Sequence, residues 1–171
     1  EAKMPWIVPL GNHDSQADLS RKEVADFLQN LNYCLNNDQG DTYGNSNFVV
    51  PVRSADNKNK ALIYIMDSNA YSTLKPEVDG WGWFDNSQVS WYKEKSKEYT
   101  QLNNNQPLPA IAFFHIPLPE YYQAWKNKKV KAIGKRKEQE CGPEINTGMF
   151  AAMLEAKDVM GTFVGHDHNN D

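Results

Sequence analysis

The segment Trp6-Ile7-Val8-Pro9-Leu10 is followed directly by Gly11-Asn12-His13-Asp14 near the start of the chain. The apolar run predicts a short buried strand, which places the polar residues at its carboxyl end. Ligands of open α/β sheets bind at the carboxyl ends of the strands. Glycine lets the backbone turn sharply, and Asn and Asp are common in ordinary turns as well. The motif therefore predicts either a strand-ending turn or part of a functional site.

Apolar runs and helical periodicities alternate along the rest of the chain, which is typical of an α/β domain. Further strands are predicted at Phe48–Val52, Ala61–Met66, Ala110–Phe114 and Val159–Val164. Helices are predicted at Ser20–Leu31, from Asp85 or Ser87 to Leu102, around Tyr121–Trp125, and from near Thr147. Ser20 and Glu23 have the spacing of a capping box. The short polar turn at residues 54–60 predicts a hairpin, and hence a mixed sheet.

The composition indicates an ordinary globular chain of 171 residues, the usual size of one domain (residues 1–171). A net charge of −4 argues against non-specific nucleic-acid binding, so no nucleic-acid partner is expected. No apolar run approaches the roughly 20 residues of a membrane span. Cys34 and Cys141 lack metal-type spacing and form either one disulfide or two separate thiols. The basic insert at residues 126–140 predicts a solvated loop rather than a polyanion site.

The four histidines carry the strongest functional signal. Each of them, His13, His115, His166 and His168, follows an apolar strand within a few residues, and strand ends converge on one rim. In an extended backbone, His166 and His168 would point to the same face. With Asn12, these nitrogen and oxygen donors suit Zn, Mn, Fe or a similar divalent ion. A Ser–His–Asp triad, a Cys–His site and a phosphate loop are disfavoured because their motifs or placements are lacking.

Three motifs together resemble the calcineurin-like metallophosphoesterases. They are GNHD at residues 11–14, FFHIPLPEY at residues 113–121 and GHDHNND at residues 165–171, in that order. The second and third are similar in particular to the purple-acid-phosphatase-like phosphohydrolase branch. The resemblance implies a four-layer α/β/β/α sandwich of two mixed sheets, two divalent metal ions (Mn, Fe or Zn) and a phosphoester substrate.

The resemblance also implies roles for individual residues. Asn12, His115 and His166 would bind one metal, and His168 would bind the other. His13 would face the substrate phosphate as proton donor or charge stabiliser, with Asp14 orienting its ring. Histidine suits proton transfer near neutral pH, and a pair of divalent ions suits in-line phosphoryl displacement.

The chain departs from the family pattern at its beginning. The family has a D-x-H motif and a Gly-Asp motif upstream of Gly-Asn-His, and neither precedes Gly11 here. We therefore expect these 171 residues to be the C-terminal part of a catalytic domain whose N-terminal strands are missing. Such a chain should bind metal weakly and hydrolyse phosphoesters poorly. It should also tend to dimerise through an uncovered sheet edge.

Two other functions are compatible with the sequence. One is a carbohydrate-binding module that uses loop aromatics as a stacking platform, namely Trp81, Trp83, Tyr121, Tyr122 and Trp125. The other is a mononuclear zinc hydrolase of unrelated fold with three histidine ligands. The aromatic loop Tyr71–Phe84 could instead shape a substrate cleft, since it joins a strand end to the next helix.

Overall fold

Four short apolar segments form one mixed sheet in the part of the chain described by the structure, a computed structural model covering residues 3–170. In spatial order the strands are β1 (Phe48–Arg53), β2 (Asn59–Ile65), β3 (Ala110–Phe113) and β4 (Val159–Phe163). The predicted hairpin is confirmed, because β1 and β2 are antiparallel. Strands β2 and β3, and likewise β3 and β4, are parallel, so their carboxyl ends lie at the same edge of the sheet.

The helices lie close to where the sequence predicts them. They are α1 (Arg21–Gln29), α2 (Asn86–Leu102), α3 (Pro119–Lys126) and α4 (Met149–Ala156). Ser20 and Glu23 form the predicted capping box, although α1 ends at Gln29 rather than at Leu31. Asp85, not Ser87, caps α2, and its side chain accepts from the Ser87 N–H. The residue preceding α4 is Gly148 rather than Thr147.

The core lies between one face of the sheet and the helices α2 and α4. Alternate residues of β2 and β3 point into it, and the facing side chains of both helices complete it: Leu62, Tyr64, Ala110, Ala112, Val89, Tyr92, Met149 and Met153. A buried carboxylate, Asp158, accepts hydrogen bonds there from the hydroxyls of Tyr64 and Tyr92. Burial raises the pKa of both tyrosines, so both stay protonated as donors to Asp158.

The prediction of a strand at Trp6–Leu10 is wrong. Only Trp6 pairs there, in an isolated parallel bridge with Cys34. The Asn36 side chain takes the place of a neighbouring strand, since its Oδ1 accepts from Val8 N at 3.0 Å and its Nδ2 donates to Val8 O at 2.7 Å. Pro9 has no N–H to add to a ladder. Leu10, at the end of the segment, is nevertheless buried, and Gly11 lies close to His115 at the carboxyl end of β3.

The second face of the sheet is less covered than the helix-packed face. Ile63, Ile111 and Phe113 are half-buried there, and Phe163 is 52% exposed and stacks on Phe113. The α/β class and the mixed sheet are confirmed, whereas the four-layer sandwich stays a prediction. The insert at residues 126–140 is an irregular and largely exposed loop beyond the end of α3. None of the helices in residues 3–170 is long and apolar enough to cross a membrane.

Candidate functional site

Three polar side chains from distant parts of the chain meet beyond the carboxyl ends of β3 and β4. Oδ1 of Asn12 lies 2.8 Å from Nε2 of His115 and 3.2 Å from Nδ1 of His166. The two imidazole nitrogens are 3.3 Å apart. His115 and His166 follow neighbouring parallel strands, so the sheet itself brings them together. These three residues, called here the Asn–His cluster, are three of the predicted site residues.

The glycines of the two flanking motifs make room for the ring of His115. A Cβ atom on Gly11 would lie 3.3 Å from Cε1 of this imidazole. A Cβ atom on Gly165 would lie 3.2 Å from its Nδ1. The ring is therefore close to the backbones of both motifs. Close approach, rather than a sharp turn, explains why glycine occupies these two positions.

The donor atoms of the cluster have the spacing that one metal ion needs. Ligand atoms about 2.1 Å from an ion lie about 3.0 Å apart at adjacent octahedral positions and about 3.4 Å apart in a tetrahedron. Asn12 is 1% exposed, and its buried Nδ2 has no hydrogen-bond partner while its Oδ1 faces both imidazoles. Within residues 3–170, no group of three His, Cys, Asp or Glu side chains could hold a metal. The cluster contains two such residues, and its third donor is an amide.

The protonation states of the two histidines suit the same role. Burial lowers the pKa of His115, and the nearby His166 lowers it further. Burial also lowers the pKa of His166. Neutral imidazoles keep a lone pair for a metal, which a protonated ring does not. The chemistry and spacing of the three donors thus fit a divalent cation and leave further positions around it for other ligands.

His13 is exposed beside this cluster, and its partner differs from the predicted one. Its Nδ1 is hydrogen-bonded to Oε1 of Gln16 at 2.7 Å. The Asp14 carboxylate instead accepts from the Gly11 N–H at 2.7 Å. The prediction that Asp14 orients the ring of His13 is therefore wrong, because the carboxylate closes the turn of its own motif. Gln16 holds the imidazole.

His168 lies outside the cluster. The expectation that His166 and His168 share a face assumed an extended backbone, and this is wrong because His166 has a left-handed φ of 68°. His168 is exposed, and the next residue, Asn169, donates its backbone N–H to Oε1 of Glu138 in the basic insert at 2.8 Å. Nothing in residues 3–170 therefore places His168 with the other histidines, and its role as a ligand stays a prediction.

The polar residues Asp67 to Asn69, shortly after β2, hold the cluster in place, and they were not among the predicted site residues. The Arg21 guanidinium pairs with the Asp67 carboxylate at 2.5 Å and donates to Gly11 O at 2.6 Å. The Ser68 hydroxyl accepts from the N–H groups of His115, at 3.2 Å, and Ile116, at 2.8 Å. The signal in the sequence was a run of polar residues at a buried strand end, which is where such anchors are needed.

The aromatic loop Tyr71–Phe84 reaches the site. The ring of Trp81 packs edge-on against His166 with centroids 4.3 Å apart, and Tyr71 stacks on Trp81. The other aromatics of the predicted stacking platform lie elsewhere: Tyr121 hydrogen-bonds Thr162 and packs against the core, and Trp125 lies against Arg136. Among the described residues, Trp81 has no ring contact with Tyr121 or Trp125, and the carbohydrate-binding platform stays a prediction.

Two remaining features, the cysteines and a cavity, supply no donor to the cluster. Cys34 and Cys141 are both free thiols. A cavity of about 590 Å³ lies between α3, the basic insert and β4. Gly165 and Asp167 line this cavity, but Asn12, His115 and His166 do not. Neither feature contributes donors to the candidate metal centre.

Comparison with curated proteins finds relatives along nearly the whole chain. "Probable inactive purple acid phosphatase 14" of Arabidopsis thaliana is 33% identical over 192 residues, covering 100% of this chain and 46% of that protein. "Probable inactive purple acid phosphatase 29" of the same plant is 33% identical over 187 residues, covering 99% of this chain and 47% of that protein. "Phosphatase DCR2" of Saccharomyces cerevisiae is 30% identical over 180 residues, covering 99% of this chain and 30% of that protein.

The chain therefore spans less than half the length of the curated relatives it matches. No family model and no solved structure matches it. The predicted resemblance to purple-acid-phosphatase-like proteins is confirmed by these relatives. Their names are those of phosphatases, although both plant proteins are named as probably inactive.

Proposed function

We propose that this homologue of purple-acid-phosphatase-like proteins contributes to a dinuclear metal site that hydrolyses phosphoesters. The observation that carries the proposal is the convergence of Asn12 Oδ1, His115 Nε2 and His166 Nδ1 at separations of 2.8 to 3.3 Å. These three atoms would hold one divalent ion, Mn²⁺, Fe²⁺ or Zn²⁺. Bound metal ions would supply Lewis acidity for water activation and for the charge on the phosphoryl group.

His13 is the residue proposed to act on the phosphate. It is exposed next to the cluster, and Gln16 occupies its Nδ1. Its Nε2 is therefore the nitrogen that would meet a phosphoester oxygen, and in the doubly protonated ring it would donate a proton to the leaving group or stabilise charge. Asp14 supports this position indirectly, because its bond to Gly11 N fixes the turn that carries His13.

His168 is proposed as a ligand of the second metal. The other ligands of that ion, and one more for the first, would come from the D-x-H and Gly-Asp motifs of the family, which do not precede Gly11 in these 171 residues. The four-layer sandwich is part of the same proposal, with the present sheet as one of its two. Alone, these residues should bind one metal ion and turn over phosphoesters poorly, and the exposed edge of β4 should favour dimers.

A mononuclear zinc hydrolase is the weaker alternative. It needs three histidines around one ion, whereas the donors gathered here are two histidines and an amide. An amide oxygen beside two imidazoles suits a borderline divalent ion such as Mn²⁺, Fe²⁺ or Zn²⁺. The donor set therefore departs from the three-histidine site that this alternative requires.

Metal binding tests the proposal directly. Isothermal titration of the 171-residue protein with Zn²⁺ and Mn²⁺ should give one principal site. His115→Ala and Asn12→Ala should each weaken that site at least about tenfold, since each removes a ligand. Gln101→Ala, an exposed amide on α2, is the matched control and should bind as the unmodified protein does.

Hydrolysis of p-nitrophenyl phosphate with added Mn²⁺ is the second measurement. The expected turnover is weak, and His13→Ala should abolish it. Metal affinity in the Asn12→Ala and His115→Ala variants equal to that of the unmodified protein would contradict the ligand assignment. Robust turnover that survives His13→Ala would contradict the assigned role of that residue.

A further inference from the structure

The loop after β2 is folded into a tight clip that connects two residues of the proposed site. Tyr71 and Trp81 pair in an antiparallel bridge, and their rings stack with centroids 5.4 Å apart. Ser72 N donates to Gly80 O at 3.0 Å, and Gly82 N donates to Ala70 O at 3.2 Å. We call residues 71–81 the aromatic clip. Backbone hydrogen bonds and the stacked rings thus join the two ends of the clip.

The clip is also anchored to the end of β2. The Asn69 side chain donates to Trp83 O at 2.6 Å. A Cβ atom on Gly82 would lie 2.9 Å from Cβ of Asn69, so only glycine allows the backbone to approach this closely. The base of the clip is therefore fixed against the same strand end that anchors the Asn–His cluster.

One side of the clip contacts His166. The indole of Trp81 meets this imidazole at 84° with centroids 4.3 Å apart. His166 has a left-handed backbone with a φ of 68°, a conformation that is uncommon for non-glycine residues. The half-buried ring of Trp81 contacts the imidazole at this backbone position and so restricts where the imidazole can lie.

The other side of the clip reaches His13 through one hydrogen-bonded residue. Gln16 donates from Nε2 to the Tyr71 hydroxyl at 2.6 Å, which turns its Oε1 toward Nδ1 of His13 at 2.7 Å. An oxygen facing Nδ1 requires the hydrogen to be on that nitrogen. With the hydrogen on Nδ1, His13 donates to the Gln16 amide, which in turn donates to the Tyr71 hydroxyl, so this one amide links Tyr71 to the tautomer of His13.

We propose that the aromatic clip is a positioning element that sets His13 and His166 relative to one another. This inference rests on the proposed function, in which His166 binds a metal and His13 faces the phosphate. Trp81 and Tyr71 are positioning residues, since neither supplies a donor to the cluster. A single rigid loop would then hold the metal ligand and the proton donor at a fixed separation across the phosphate position.

Zn²⁺ titration of clip variants tests the first half of the proposal. Trp81→Ala should weaken Zn²⁺ binding about tenfold or more, as loss of an outer-shell partner does. Trp81→Phe should restore most of the affinity, because a phenyl ring can still pack against the imidazole. Trp125→Ala removes an exposed tryptophan elsewhere and should bind as the unmodified protein does. Unchanged affinity in Trp81→Ala would overturn this half.

The imidazole ¹⁵N spectrum tests the second half and does not depend on metal. The chain has four histidines, so the His13 signals can be assigned by substitution. The unmodified protein should show the Nδ1-protonated tautomer, and both Tyr71→Phe and Gln16→Leu should shift it toward a mixture. Tyr43→Phe, an exposed tyrosine away from the clip, is the control. An unshifted tautomer in Tyr71→Phe and Gln16→Leu would overturn this half.

His115→Ala separates failure of this inference from failure of the proposed function. If His115→Ala also binds Zn²⁺ normally, the metal site itself is refuted and the clip has no ligand to position. If His115→Ala loses Zn²⁺ while Trp81→Ala keeps it, the metal site stands and the clip proposal falls. Circular dichroism of each variant establishes folding, and Trp81→Leu, which keeps apolar bulk without a ring, carries the test with the same expected loss if Trp81→Ala does not fold.

Discussion

Arg21 should be among the most sensitive positions outside the cluster. Its side chain is 12% exposed and the side chain of Asp67 is fully buried, with the two joined by a two-point ion pair. Arg21→Met keeps the apolar stem but leaves the carboxylate without its cation. Breaking a buried pair in this way costs about 3–5 kcal/mol. Asp67 still accepts from the N–H groups of Asn45 and Asn69, so we expect a loss near the lower end, about 3 kcal/mol.

Urea unfolding followed by circular dichroism measures this loss as a lower midpoint at unchanged slope. In a thermal scan it corresponds to a decrease of about 6–12 °C in Tm for a domain of this size. Lys22→Met is the matched control on the same helix, because the ion pair of Lys22 with Asp26 is exposed on both sides. We expect no measurable change from it. Zn²⁺ affinity should fall in Arg21→Met alone, since its guanidinium also binds Gly11 O beside Asn12.

A double-mutant cycle provides the decisive comparison. Asp67→Leu should also destabilise the protein, by leaving the guanidinium unpaired. Combining it with Arg21→Met should cost less than the sum of the two single changes, because no charge is then left buried. Stability of Arg21→Met within about 1 kcal/mol of the unmodified protein, or strict additivity in the cycle, would refute the reasoning.

Three further predictions concern other positions. Gly165→Ala places a Cβ atom 3.2 Å from Nδ1 of His115 and should weaken Zn²⁺ binding about tenfold; an unaltered titration would contradict this. Burial raises the pKa of Asp38, so the folded state holds its proton to higher pH than the unfolded chain, and stability falls as pH rises through that window. Asp38→Asn should therefore raise Tm at pH 7 but not at pH 3, and equal effects at both values would count against it. Met160→Lys on the exposed edge strand β4 should shift light-scattering mass toward the monomer, whereas Leu102→Lys, exposed on α2, should not.

The sequence predicted the parts of the molecule that depend on local patterns. The capping box of Ser20 and Glu23 involves residues three positions apart, and its geometry follows from helix start preferences alone. The meeting of His115 and His166 also followed, because both come directly after strands that are neighbours in a sheet. Sequence spacing is sufficient where the backbone is regular.

The sequence did not predict features set by contacts between distant segments. Trp6–Leu10 lacks a strand because a side chain, Asn36, binds the Val8 backbone in place of a neighbouring strand. The relation between His166 and His168 depends on one left-handed residue, which changes the direction of the chain after it. Gln16, the partner of His13, is itself hydrogen-bonded to Tyr71, which lies far along the chain. Composition and periodicity carry no information about any of these contacts.

The contacts that hold the Asn–His cluster in place originate in three consecutive residues after β2, Asp67 to Asn69. Asp67, through Arg21, fixes the backbone at Gly11 beside Asn12. Ser68 accepts from the backbone of His115, and Asn69 anchors the loop whose Trp81 packs against His166. Each member of the Asn–His cluster is thus positioned by a different residue of one tripeptide that supplies no donor to it. Losing a hydrogen-bond partner costs a buried polar group free energy. The end of β2 therefore imposes one geometry on three segments that are far apart in sequence.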